Sequence, residues 1–308
     1  MQNHRSPTDW ALFALLTALW GSAYAFTRLA VSQSSPEFGF PPEFIIPVRL
    51  TAGALVLLLV AAISRQVWPG LREWRQWAAM AVMGIFGTAA PFLLITTAQQ
   101  TVDSSLAALY VAAAPLFVST MAHFLFADDR IHAGKALGVM VGFAGVAVLF
   151  GPEALSSIGS ASVVAQFMCL CATFCYAVST ITARFARNIP PFVFSAGFLS
   201  IGAIASWPLL LLVEMDQLTP SGGAVAGLIG LALAPTAMAS VVYMVLIRRA
   251  SATFLSLTGY TIPVFSAIVG YFAFAEVQSW NAALAFALIL GGVWIAQRRG
   301  ATSIVTKD

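Results

Sequence analysis

Charge is what this chain of 308 residues has least of. Asp, Glu, Lys and Arg make up 9% of it, where a soluble domain carries about 25%, and only Lys135 and Lys307 are lysines. So few charges cannot clothe a folded surface for water. The net charge is +3, and the basic residues stand at the ends of apolar runs rather than along one face, which speaks against nucleic acid as a partner. Histidine and cysteine number three each. Cys169, Cys171 and Cys175 share one apolar run with no His or carboxylate beside them, so they read as small packing residues and no metal is expected. The G-x-x-x-x-G-K-[ST] loop of ATP-driven proteins is missing, and no cofactor is expected. Clustered His, Asp or Glu, which an intramembrane enzyme would need, are missing too, so the chain does not read as an enzyme.

What the chain does have is apolar length. The hydrophobic fraction is 60% and the mean hydropathy +0.89. At about 20 apolar residues per crossing, the runs 10–31, 43–64, 75–98, 104–126, 133–150, 161–186, 192–213, 223–247, 253–274 and 280–297 predict ten transmembrane helices. The fold class is an all-α polytopic membrane protein, with the lipid bilayer as one partner and a small molecule as the other. Arg5, the run from Trp10 and the "AYA" at Ala23 to Ala25 imitate a signal peptide with its cleavage site. The run is read instead as the first span.

The basic residues give an orientation. Arg5, the Arg65–Arg72–Arg75 group, Arg130 with Lys135, Arg184 with Arg187, Arg248 with Arg249, and Arg298, Arg299 and Lys307 fall on alternate connections and the two ends. They are thirteen of the fifteen. The other connections hold Glu37, Glu43, Asp103, Glu153, Glu214, Asp216 and Glu276. Positive connections stay in the cytoplasm, which predicts that both termini are cytoplasmic in a bacterial-type inner membrane.

Two stretches repeat. "PLFVSTMAHFLFADDR" from Pro115 and "PVFSAIVGYFAFAEVQ" from Pro263 superpose Pro115, Phe117, Phe124, Phe126 and Ala127 on Pro263, Phe265, Phe272, Phe274 and Ala275. Asp128 then falls on Glu276, and Arg130 on Gln278. "ALGVMVGFAGVAVL" from Ala136 parallels "ALAFALILGGVWIA" from Ala283, and "WGSAYAFTRLA" from Trp20 parallels "YAVSTITARFA" from Tyr176. The copies lie five spans apart, so the second unit is inverted. The changed charge after the motif is then explained, because one copy ends at the cytoplasm and the other outside. The expected organisation is a repeat over 1–150 and an inverted repeat over 151–308, joined at "GPEALSSIGS" from Gly151, together one transport domain. Secondary transporters are built this way, with substrate bound near the midplane.

These segments also resemble the EamA-type family of the drug/metabolite transporter superfamily. The likeness rests on "SSLAALYVAAAPLF…FAD…GVMVGFAGV" and "SLTGYTIPVF…FAE…LILGGV", on "WGSAYAFTR" in the first helix and on Arg49 in "PVRLTAGALVLL". It covers nearly the whole chain. It implies a ten-helix carrier, most often an exporter of amino acids or other small metabolites, and in general character it is similar to the YddG-type exporters of aromatic and other neutral amino acids.

Polar residues inside the runs are few, and they fall into stripes. Trp20 and Tyr24 share a helical face, with Tyr176 and Thr180 as their repeat mates. Thr236, Ser240 and Tyr243 make a stripe on the eighth run, and Gly84, Gly87, Thr88 and Pro91 one on the third. Tyr110 and Tyr260 flank the mid-helix prolines Pro115 and Pro263, which free backbone carbonyls and are read as structural or gating. Together Trp20, Tyr24, Thr88, Pro91, Tyr110, Tyr176, Thr180, Thr236, Ser240, Tyr243 and Tyr260 predict an uncharged, aromatic and hydroxyl-lined substrate site. Arg49, roughly 9 Å inside the second run at 1.5 Å per residue, is read as structural or gating. Snorkelling, pairing with Glu37 or Glu43, and contact with a substrate carboxylate all stay open for it. His123 is read as a packing residue. No carboxylate stands at the centre of a run, so proton coupling through one is not expected. The expected function is export of small neutral metabolites, above all amino acids including aromatic ones, by alternating access. Drug-like compounds or nucleotide and phosphorylated sugars are the alternative, although sugar phosphates call for mid-depth Lys or Arg. A pore or an intramembrane enzyme is less favoured.

Overall fold

The computed structural model describes residues 6–31, 39–126, 131–151, 160–183, 186, 189–249, 254–255 and 257–297. Within these every named element is helical, and an isolated β-bridge joins Val31 and Phe40. Eight helices are long and apolar enough to cross a membrane: α1 (Pro7–Ala30), α2 (Pro42–Ile63), α3 (Trp74–Ala98), α4 (Ser104–Leu125), α5 (Ala133–Phe150), α6 (Ala161–Ala183), α7 (Pro191–Leu212) and α8 (Gly222–Leu246). Two more, α9 (Thr258–Phe274) and α10 (Trp280–Ala296), are apolar but shorter. In the run expected over 253–274, α9 covers Thr258–Phe274, and its 17 residues reach about 26 Å at 1.5 Å per residue. Elsewhere the helix ends fall within a few residues of the apolar runs.

Helix starts follow local chemistry. Ser6 caps α1 in a reciprocal box with Asp9, and Pro7 occupies the first turn, where its missing N–H costs nothing. Pro42 and Pro191 open α2 and α7 in the same way. Asp9 also accepts from Arg249 Nε at 2.8 Å, which ties the start of α1 to the last residue of the helix that continues from α8.

The helices pack in a regular scheme. Helix α5 lies along α10, α2 along α7, and α4 against α9; α1 sits between α8 and α9, and α6 between α3 and α4; α2 touches α8, and α3 touches α7. Adding five to each number, with one following ten, maps these nine pairings onto themselves; α4 also touches α1, α5 and α10. Small residues permit the closest approaches. A Cβ on Gly145 of α5 would stand 2.8 Å from Leu288 Cβ and 2.9 Å from the Ile289 nitrogen of α10. Leu50, Leu57, Leu116 and Ile289 are fully buried between helices, whereas Phe124, Leu211, Phe272 and Trp280 point outward, an apolar exterior suited to lipid.

Helices α3, α4 and α8 are interrupted, and α7 tightens into a 3-10 helix over Trp207–Leu212. Helix α4 breaks at Ala112–Ala113 just before Pro115, and the Thr173 hydroxyl of α6 reaches the Tyr110 carbonyl at 3.2 Å. A neighbour's hydroxyl thus serves backbone that lipid could not. Helix α3 loosens into a π turn at Ile85–Ala89, and α8 does so at Ala232–Met238 around Pro235. The loosened helices are five apart in the order. Such turns gather at functional positions.

Candidate substrate cavity

Both π turns face a cavity of about 720 Å³ at mid-depth. Helix α1 supplies Trp20, Tyr24 and Thr27 to its wall, α6 supplies Tyr176, Ser179 and Thr180, α3 supplies Gly87, Thr88 and Phe92, and α8 supplies Pro235, Thr236, Ser240 and Tyr243. The lining continues through Ala183, Ala186, Ile189 and Pro191 to the connection between α6 and α7. The hydroxyls are turned by their own helices: Thr88 donates to the Gly84 carbonyl at 2.5 Å, Thr180 to Tyr176 at 2.8 Å and Ser240 to Thr236 at 2.6 Å. Thr180 and Ser240 therefore keep acceptor lone pairs for a solute, whereas Thr88 Oγ1 lies against Gly202 of α7. The Trp20 and Tyr243 rings meet at 5.3 Å between centroids, joining α1 to α8.

Eight of the eleven residues expected around the substrate line this cavity: Trp20, Tyr24, Thr88, Tyr176, Thr180, Thr236, Ser240 and Tyr243. The other three do not. Tyr110 is fully buried; its hydroxyl donates to Gln166 Oε1 at 2.6 Å, and its ring packs edge-on against Phe150. Pro91 is buried within α3, and Tyr260 packs against the core around α4 and α10. From α9 it is Ile262 that reaches the cavity. Pro115 lies at the break in α4, whereas α9 runs through Pro263 without one. Phe92, Phe194, Phe198, Met83 and Met244 also line the cavity, and no pattern in the sequence tells them from core residues of the same type.

Arg49 corrects a further expectation. Its side chain neither snorkels to a surface nor pairs with Glu43. It is 5% exposed, its Nε donates to Thr236 Oγ1 at 2.7 Å, and its guanidinium carbon lies 3.7 Å from the centroid of the Phe92 ring. Glu37 lies outside the described residues. Arg49 is the one lining residue of the cavity with a formal charge among those described. His123 accepts from the Ile131 amide at 3.0 Å, which fits the packing role expected of it.

The EamA-like transporter family matches the chain over residues 8–151 and again over 163–297. The chain belongs to the EamA-like transporter family. Its relatives include the aromatic amino acid exporter YddG of Ancylobacter novellus, 26% identical over 88% of this chain and 92% of that one. They also include the uncharacterised inner membrane transporter YedA of Escherichia coli K12, 27% identical over 86% of this chain and 82% of that one. A crystal structure of a protein 22% identical to this chain superposes with a TM-score of 0.63 over 94% of this chain and 97% of that one, which establishes a shared fold. The chain is thus an integral protein of the bacterial inner membrane.

In this EamA-like transporter the other end of the bundle, where α1 finishes and α4 begins, is tied by charge. Arg28 Nη1 contacts Asp103 Oδ1 at 2.6 Å and also binds Glu276. Glu276, beyond the end of α9, is 4% exposed. It accepts from the Ser104 and Ser105 amides at 3.0 Å each, and from their hydroxyls at 2.7 and 2.5 Å. A carboxylate at the amide-rich start of α4 is well placed electrostatically. Burial pushes its carboxyl up, but the hydrogen bonds from Ser105 and Ser104 outweigh that and leave its pKa below the ordinary 4.5. Gln278, the residue that replaces Arg130 in the repeat, donates to Ser105 Oγ at 2.5 Å. Asp128 and Arg130 themselves lie outside the described residues.

Proposed function

We propose that this chain is a ten-helix carrier of two inverted five-helix repeats, 1–150 and 151–308, with both termini cytoplasmic. It exports small neutral metabolites, most characteristically amino acids including aromatic ones, by alternating access. The observation that carries the reading is the mid-depth cavity, whose walls come from both halves and consist of aromatic rings and hydroxyls. A volume of about 720 Å³ lies within the 300–1,000 Å³ usual for small-molecule sites. Two family matches, one in each half, and a neighbour scheme that repeats every five helices support the duplication.

The ends of the cavity support alternating access. The lining reaches the α6–α7 connection, on the side that the basic residues assign to the cytoplasm, while Arg28, Asp103 and Glu276 hold the opposite end together. A carrier open to the cytoplasm and latched outside has this arrangement. One cation in the wall suits a solute with a single anionic group and gives too little charge for a nucleotide sugar. The aromatic amino acid exporter among the relatives points the same way.

Counterflow in proteoliposomes loaded with unlabelled L-phenylalanine tests the reading. Labelled L-phenylalanine, L-tyrosine and L-tryptophan should accumulate transiently, and labelled nucleotide sugars should not. Folded, reconstituted protein that exchanges none of the three amino acids would overturn it.

A further inference from the structure

Burying an arginine at mid-depth is costly unless its charge is answered. At Arg49 the answer within the protein is incomplete. The ion pairs among the described residues are those of Arg28 and Arg249, and the hydrogen bond Arg49 makes among them uses Nε alone. The two terminal nitrogens of the guanidinium are left to the cavity that Arg49 lines.

The surroundings hold that fork in place. Thr236 stands on the π turn after Pro235, and its one hydroxyl proton is given to the Leu231 carbonyl at 2.9 Å. Its oxygen can then only accept, and it accepts from Nε. The Phe92 face lies against the guanidinium at 3.7 Å, a cation–π contact that fixes the plane. Thr236 is itself wedged by α2, since a Cβ on Gly53 would stand 2.6 Å from Thr236 Cγ2. A planar, preset pair of N–H donors with a positive charge matches a carboxylate edge-on.

We infer that Arg49 is the anchor for a substrate carboxylate, and that recognition is lopsided: the carboxylate is bound by charge, the amine by hydroxyls and ring faces only. No carboxylate lines the cavity among the described residues, so an ammonium group meets no opposite charge there. The inference deepens the amino acid carrier reading and rests on it for the cargo's side chain. It adds that the cargo class is an aromatic monocarboxylate, with or without an α-amine.

Equilibrium binding to the purified full chain separates the two statements. The probes are L-phenylalanine, 3-phenylpropionate, which lacks the amine, and 2-phenylethylamine, which lacks the carboxylate. In the unsubstituted protein 3-phenylpropionate should bind within a few-fold of L-phenylalanine, and 2-phenylethylamine roughly ten- to a hundredfold more weakly, the usual worth of a charge-assisted hydrogen bond. Arg49→Gln should erase that difference, and Arg49→Lys, which keeps the charge and loses the fork, should restore part of it. Binding of 3-phenylpropionate without L-phenylalanine, dependent on Arg49, would uphold the anchor while sinking the amino acid reading. Three results would overturn the anchor: equal binding of 2-phenylethylamine, carboxylate binding that survives Arg49→Gln, or no binding of either carboxylate. The first and last need no variant, so a misfolded Arg49→Gln protein does not protect the inference.

Discussion

Trp20 and Tyr24 stand one turn apart on α1, and Tyr176 and Thr180 one turn apart on α6, and all four open onto the same cavity. Stacking on an aromatic wall is worth about 0.5–1.5 kcal/mol beyond buried area. Trp20→Ala should therefore weaken transport of aromatic substrates several-fold more than that of threonine, at unchanged expression; equal loss for both would move Trp20 from recognition to packing. Glu276 gives a prediction in pH. A carboxyl whose folded pKa is depressed adds stability that is full above its unfolded value and is lost as pH falls through the folded one. The melting-temperature deficit of Glu276→Gln should be constant from pH 5 to 8 and shrink only in more acid solution. A deficit that changes between pH 6 and 8 would instead make Glu276 a titrating switch. The stripes of Trp20, Tyr176 and Thr236 were legible because an aromatic or hydroxyl side chain inside an apolar run needs a reason. Tyr110 misled by the same logic, since a tyrosine can satisfy its hydroxyl on a single partner such as Gln166. Phe92 and Met244 were invisible, because a cavity wall of Phe and Met reads as core.

At the scale of the helix, the apolar runs coincide with the eight helices long enough to cross a membrane and with the two shorter apolar ones, and the small departures come from chemistry that hydropathy ignores. Helix α9 starts at Thr258, where the Thr258 hydroxyl bonds the Leu255 carbonyl at 2.7 Å. The π turns were not readable. Pro235 marks one of them, but the register change in α3 depends on how Thr88 and Gly84 meet α7, where a Cβ on Gly84 would stand 2.5 Å from the Phe198 carbonyl oxygen. The α5–α10 pair is far simpler. It meets through glycines and lies away from the cavity wall. Gly145→Val should cost stability, about 1–3 kcal/mol for an overpacked contact, and leave the ratio of aromatic to small substrates untouched. Altered selectivity with an unchanged melting temperature would contradict that division of labour.

For the whole molecule, the charge asymmetry and the repeated segments are the plainest patterns in the sequence, and the proposed topology rests on the arginines and the proposed duplication on the matched prolines and glycines. Leu71, 93% exposed between α2 and α3, and Val277, 79% exposed between α9 and α10, mark the two ends. In a background free of Cys169, Cys171 and Cys175, Val277→Cys should react with an impermeant thiol reagent from outside, and Leu71→Cys from the cytoplasm only. The reverse pattern would turn the molecule over. The repeat also aligns Arg184 with Arg28 and Asp128 with Glu276, although neither Arg184 nor Asp128 is among the described residues. If the duplication carried charge pairing as well as packing, Arg28→Ala and Arg184→Ala should shift cavity access in opposite senses.

A carrier of this design exposes one cavity to both sides of the membrane in turn. Ser240 lines it, so Ser240→Cys in the same cysteine-free background reports on it directly. Its modification rate by a membrane-impermeant reagent is measured in right-side-out and in inside-out vesicles, with and without saturating L-phenylalanine. Alternating access predicts reaction from both faces, faster from the cytoplasmic one, with substrate slowing each. Reaction from one face alone, at a rate that substrate leaves unchanged, would contradict the account.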